Sequence, residues 1–330
     1  MDIKKLWKTM GSLGFVLTLL GGCSDKKAAP ATPMSAAGAY AGNPQPAQGR
    51  SAAEAAQSAR KNLRCPAEVT LPARPENQPV DDLMGVRPGM RYEEAANVIL
   101  CTDDLLTMSK NDRRGFSLET YGTKLRQGFE MKPAAAEMPM TQEALMARMR
   151  EESRQRNSFV RVRDVPPGHS KWAVGTMGLP GEEKVISVIR EQWFETDKLP
   201  PAATVEQALT KKYGEPTARN RHDAHALTWA FDTRGRPITE TSRLYETCRI
   251  ASQMDARLTL SPDCGLTIAA RLNPPHGNDQ LVEFLEIHIA DQAGGFTAIR
   301  ETQEGLLSLN ESRKARELEQ AAGNSDEVKL

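Results

Sequence analysis

The sequence predicts an α+β fold: antiparallel sheets with helices packed on them, stabilised by disulfides. Three observations lead there. Alternating runs such as SKWAVGTM and KVISVIREQW are joined by a short turn, a connection that antiparallel strands allow. Two short helical patterns, GMRYEEAANVIL and AATVEQALTKKYG, each lead back into strand-like sequence. Four cysteines, Cys65, Cys101, Cys248 and Cys264, stand as two local pairs.

The first residues carry Lys4, Lys5 and Lys8, followed by the apolar run LGFVLTLL from Leu13 to Leu20. A bilayer-spanning helix needs about 20 apolar residues, so this run is too short to span and has the length of a signal-peptide core. Leu20-Gly21-Gly22-Cys23 resembles a bacterial lipobox. The resemblance implies removal of residues 1–22 and fatty acylation of the Cys23 thiol, hence a lipid anchor. Ser24 after the cysteine points, by resemblance to bacterial sorting, to the outer membrane and a periplasm-facing protein.

Residues 23–61 read as an Ala/Pro-rich tether that buries too little apolar surface to order itself. Such a flexible tether reaches roughly 35 Å. The chain carries 43 basic and 43 acidic residues; the signal segment takes a net +2, so the mature part is left near −2. That balance excludes a nucleic-acid partner, which needs a basic surface. Five cysteines less the acylated Cys23 leave four, and in an oxidising compartment that even count predicts two disulfides. Four cysteines allow three pairings, and proximity in sequence favours Cys65–Cys101 and Cys248–Cys264.

A first α+β module is expected over 62–138. It holds a turn at Pro88-Gly89, a helix burying Ala95, Val98 and Ile99, and strands at GFSLETYG and KLRQGFEM. A connecting helix over 139–158 is capped by Thr141 and buries Met146 and Met149. A second module over 159–322 starts with an edge strand at VRVRDV. The hairpin SKWAVGTMGLPGEEKVISVIREQWF follows, with its turn at Gly178–Gly181. Next come a helix capped by Thr204, burying Val205, Ala208 and Leu209 and stopped by Gly214, then the strand ALTWAFD. GLTIAARL pairs with LVEFLEIHIAD, and a helix from Phe296 to about Glu319 closes the module before the tail 323–330. Trp172, Trp193, Trp229 and Phe194 are expected in the core.

The two short helices share an acidic turn and an alanine at one phase, Ala95 and Ala208. This G-M-x-x-E-E…G-x-P shape resembles the helix of SmpA/OmlA-type envelope lipoprotein modules. The resemblance implies helices on an antiparallel sheet and a role in protein–protein contacts at the outer membrane. It covers about 15 residues twice and transfers no functional residue.

No H-E-x-x-H, G-x-S-x-G, P-loop or dinucleotide fingerprint occurs. His222 and His225 are the only close histidine pair and read as a solvated loop; His288 reads as a surface residue. The methionines at 138, 140, 146 and 149 have spacings open to Cu(I), but packing explains them more simply. No catalytic residue, metal site or cofactor is therefore expected. The expectation is a lipid-anchored, non-catalytic binding or scaffold protein. A periplasmic hydrolase of unfamiliar motif and a small-ligand carrier stay open as alternatives.

Overall fold

The computed structural model describes residues 50–58, 60, 63–74, 78–109, 115–135, 142–143, 146–147, 149–150, 164–219, 225–254 and 257–322. Cys23, Thr141 and His222 lie outside them, as do most of the 139–158 helix and most of VRVRDV. Residues 46–330 belong to one compact unit.

The described residues open with a helix of about two turns, α1 (Ala52–Ser58). Ser51 and Glu54 cap it reciprocally, the hydroxyl taking the Glu54 N–H and the carboxylate taking the Ser51 N–H at 2.8 Å. Ala56 is buried, so the docked chain starts before residue 62. Helix α2 (Tyr92–Leu100) follows, with Ala95 and Ile99 fully buried. Strand β1 (Leu106–Ser109) then pairs with β2 (Gly128–Pro133), β2 with β3 (Ser170–Met177), and β3 with β4 (Lys184–Trp193), all antiparallel. Helix α3 (Ala202–Tyr213) opens a second copy of the same order: β5 (Ala218–Arg219), β6 (Ala226–Asp232), β7 (Cys264–Asn273) and β8 (Phe284–Asp291). The short α4 (Tyr245–Cys248) lies between β6 and β7, and the long α5 (Gln292–Ala322) ends the described chain.

Both four-strand meanders join through β4 and β8 into one eight-stranded antiparallel sheet, ordered β1-β2-β3-β4-β8-β7-β6-β5. The α+β class and the helix-then-sheet repetition expected from sequence are both present. The repeat boundary falls between Trp193 and Ala202. The stretch 139–158 instead lies inside the first meander, between β2 and β3.

Register puts Met131, Trp172, Arg190, Ile287, Ala270 and Leu227 in one row on one face. Helices α2 and α3 cover that face: Tyr92 meets Phe129 edge-on at 4.8 Å, and Tyr213 meets Trp229 at 5.6 Å. Burying these large side chains out of water is the main stabilising term. The opposite face is covered by the β6–β7 connection, where Met254 packs on Ala173 and Ile189, and by the start of α5, where Gln292 bonds Thr267.

Several sequence expectations are corrected. GFSLETYG is not a strand; residues 115–127 form an irregular crossing with a turn at Tyr121-Gly122. Strand β1 was not expected at all. Thr204 lies inside α3 rather than capping it; the N-cap is Pro201, without a side-chain bond. Ala208 is exposed, and Tyr213 takes the buried place beside Val205 and Leu209. Met146 and Met149 are 50% and 58% exposed, so they do not form a buried helix face. His288 is 1% exposed, because the chain at Ala251 lies over it and accepts a bond from its ring at 2.7 Å. The three tryptophans are buried, and Gly214 ends α3 with φ +82°.

Candidate functional site

The cysteines pair as Cys65–Cys101 and Cys248–Cys264. The first bridge ties the N-terminal segment to the end of α2, and Cys65 is exposed. The second is wholly buried and pins α4 to the start of β7. Around the first bridge the segment 63–74 is strapped across α2. Glu94 accepts the backbone N–H groups of Thr70 and Leu71 and the Thr70 hydroxyl, and Leu63 and Leu71 pack on the core. Burial opposes the charged form of Glu94, but these donors outweigh it and hold the carboxyl below its ordinary value.

The sign of the consequence follows. A carboxyl whose folded value is depressed adds stability above the unfolded value of about 4.3, and loses it as pH falls through the folded value. Glu94→Gln is expected to cost about 1–3 kcal/mol at pH 7. The gap between variant and wild type should shrink toward pH 3 in urea titrations. A gap independent of pH would show that the carboxylate does not hold the strap.

Charged groups also cross the face opposite the helices. Lys171, Glu191, Glu286 and Arg271 stand in one row over β3, β4, β8 and β7. Both glutamates are fully buried. Like charges directly opposite on neighbouring strands repel, and the flanking cations compensate them. Glu191 takes the Trp193 indole N–H at 2.7 Å and lies 3.3 Å from the Lys171 ammonium; Glu286 takes the Asn273 amide at 3.2 Å. This arrangement fixes the join between the meanders. Elsewhere Arg126 clamps Glu183 in the β3–β4 turn and Glu93 on α2. Burial opposes the Glu183 charge, and Arg126 more than restores it, leaving that carboxyl below its usual range.

The helix-covered face holds a different cluster at the seam between the two meanders. Arg190 rises from the middle of β4 among Val, Ile, Leu and Trp side chains. Its guanidinium lies 5.3 Å from the Trp172 ring centre and donates to the Gln192 side-chain oxygen. Gln192 in turn donates to the Trp193 carbonyl at 3.0 Å. Among the described residues the Arg190 Nε and the Trp172 Nε1 are both buried without an acceptor. Burial brings the Arg190 guanidinium down to about 10, against weaker opposing effects from Tyr213 and Asp103. Burial likewise pushes the Tyr213 phenol up.

Asp103 is near enough to act on Arg190 but is already committed: one oxygen takes the Leu105 N–H at 2.9 Å, the other meets His169 Nδ1 at 2.6 Å. Arg190, Gln192, Asp103 and His169 are each half-buried. None was singled out from sequence, although alternation along β4 already put Arg190 on the face of Val188 and Ile186. An arginine among apolar residues of one strand face was the available signal.

Among the described residues no group of three or more His, Cys, Asp or Glu side chains is placed to hold a metal ion, and no helix is long and apolar enough to cross a membrane. No protein family, no curated protein and no solved structure matches the chain.

Proposed function

We propose that this protein is exported, acylated at Cys23 and held by that lipid at the outer membrane, facing the periplasm. There it acts as a non-catalytic accessory that binds another envelope protein. The observation that carries the binding role is the second half of α5. The last buried residue of the helix is Asn310, and Arg313 makes a contact with the body through the Tyr121 carbonyl at 3.2 Å. Residues 311–322 are exposed on every side, a projection of about 18 Å at 1.5 Å per residue.

Leu307, Leu309 and Leu318 are 43%, 48% and 73% exposed on this helix. Leu307 and Leu318, about three turns apart, fall on one side of the helix and Leu309 on the other; helices draw most of their stability from packing, which a partner seated on the Leu307–Leu318 side would supply. The two disulfides support export, since such bridges persist in oxidising compartments.

Two measurements test the reading. Mass spectrometry of the native protein should find residues 1–22 absent and acyl chains on Cys23. A photo-crosslinker placed at Leu318 should give one reproducible adduct in intact cells, absent when it is placed at Asn278 on a distant loop. A native product that retains Met1 and bears no lipid removes the anchor and the location. Identical crosslinking from both positions removes the binding role.

A further inference from the structure

We propose that Arg190 and Trp172 form a binding site for a small oxyanion, a carboxylate or a phosphate, at the seam between the two halves of the sheet. The proposal is independent of the role given to α5. Two buried N–H donors, Arg190 Nε and Trp172 Nε1, stand on paired positions of β4 and β3 with no acceptor among the described residues. Trp172 is 1% exposed, so its indole N–H is removed from bulk water. Buried donors are nearly always satisfied, and a guanidinium drawn partly out of water favours an anionic partner.

Here the guanidinium meets an amide oxygen and an aromatic face, neither of which carries a full negative charge. The carboxylate that acts on it, Asp103, bonds the Leu105 N–H and His169, and among the described residues no ion pair joins it to Arg190. A water molecule could accept one of these N–H groups but would bring no negative charge to the half-buried guanidinium. An oxyanion does both, and the planar fork of arginine suits its geometry. Gln192 links the guanidinium to the His169 carbonyl at 3.5 Å, and Gln192, His169 and Asp103 are half-buried rather than buried.

The test uses the whole mature chain with acetate and inorganic phosphate as probes, against chloride at equal ionic strength. A saturable rise in Tm of about 5 °C is expected from at least one probe, as for any ligand that binds only the folded state. Acetate alone active assigns a carboxylate; phosphate alone active assigns a phosphate; chloride matching both overturns the site. Arg190→Met removes the charge at similar bulk, and exchange of a buried charge for an apolar group is often neutral for stability. In that variant the rise should vanish, and a rise that persists there overturns the proposal.

Should Arg190→Met fail to fold, the wild-type tryptophan emission is titrated with the same probes. A saturable change that Trp172→Phe abolishes supports the site. No saturable change, or one that Trp172→Phe retains, overturns it.

Discussion

Replacing Trp229 with alanine is expected to lower stability by about 3–5 kcal/mol, the usual cost of truncating a fully buried tryptophan. Trp229 is 0% exposed and stands in the middle of β6, beside Ile268 of β7. Its ring packs against Tyr213, and its indole N–H donates to the Gly214 carbonyl at 2.8 Å. The substitution therefore opens a cavity and frees the end of α3 in one step. Tm should fall by about 10 °C for a body of this size. Trp229→Phe keeps most of the bulk and loses only the N–H, so it should recover more than half of the loss. Urea titration of the three proteins checks this. Equal losses for alanine and phenylalanine would place the energy in the hydrogen bond rather than in packing.

Removing the buried bridge by Cys248→Ala with Cys264→Ala is the second large expected effect. The bridge spans a sequence separation of 16, for which chain entropy gives about 3 kcal/mol. More than the loop is at stake. The Cys248 carbonyl accepts the Thr267 hydroxyl at 2.9 Å and the Gln292 amide at 2.6 Å. Release of α4 should therefore loosen the start of α5 as well, which hydrogen exchange over 292–300 would report. The outer bridge behaves differently, because thiol exchange requires access to sulfur. Mild reductant with an alkylating trap should label Cys65 and Cys101 well before Cys248 and Cys264. Simultaneous labelling would contradict the burial of the second pair.

Local chemistry made much of this fold legible. Gly178-Leu-Pro-Gly181 between two alternating runs marked β3 and β4, and Gly214 marked the end of α3. Proximity in sequence paired the cysteines. What sequence left hidden is tertiary. Strand β1 is four residues long and shows only because β2 supplies its partner. His288 alternates like a surface residue, and is buried because the β6–β7 connection folds over it.

Glu94 looks like ordinary helix-dipole chemistry until the strap delivers two backbone donors to it. The seam cluster is assembled from residues 103, 169, 172, 190 and 192, and no local window contains it. The tether expectation ran past a helix that the sequence itself marks, since Ser51-Ala-Ala-Glu54 is a capping box before an alanine-rich run.

The central position of β8 constrains the order in which this chain can be completed. Synthesis proceeds from the N-terminus, so the first meander exists before its neighbour at β4 has emerged. Until then β4 presents a bare edge carrying Val185, Ile186, Val188 and Ile189, a template for pairing with any other extended polypeptide. A nascent or truncated chain that stops short of residue 284 keeps that edge open. Such fragments should self-associate, and the full chain should depend on a holdase during its synthesis more than its modest hydrophobicity would suggest.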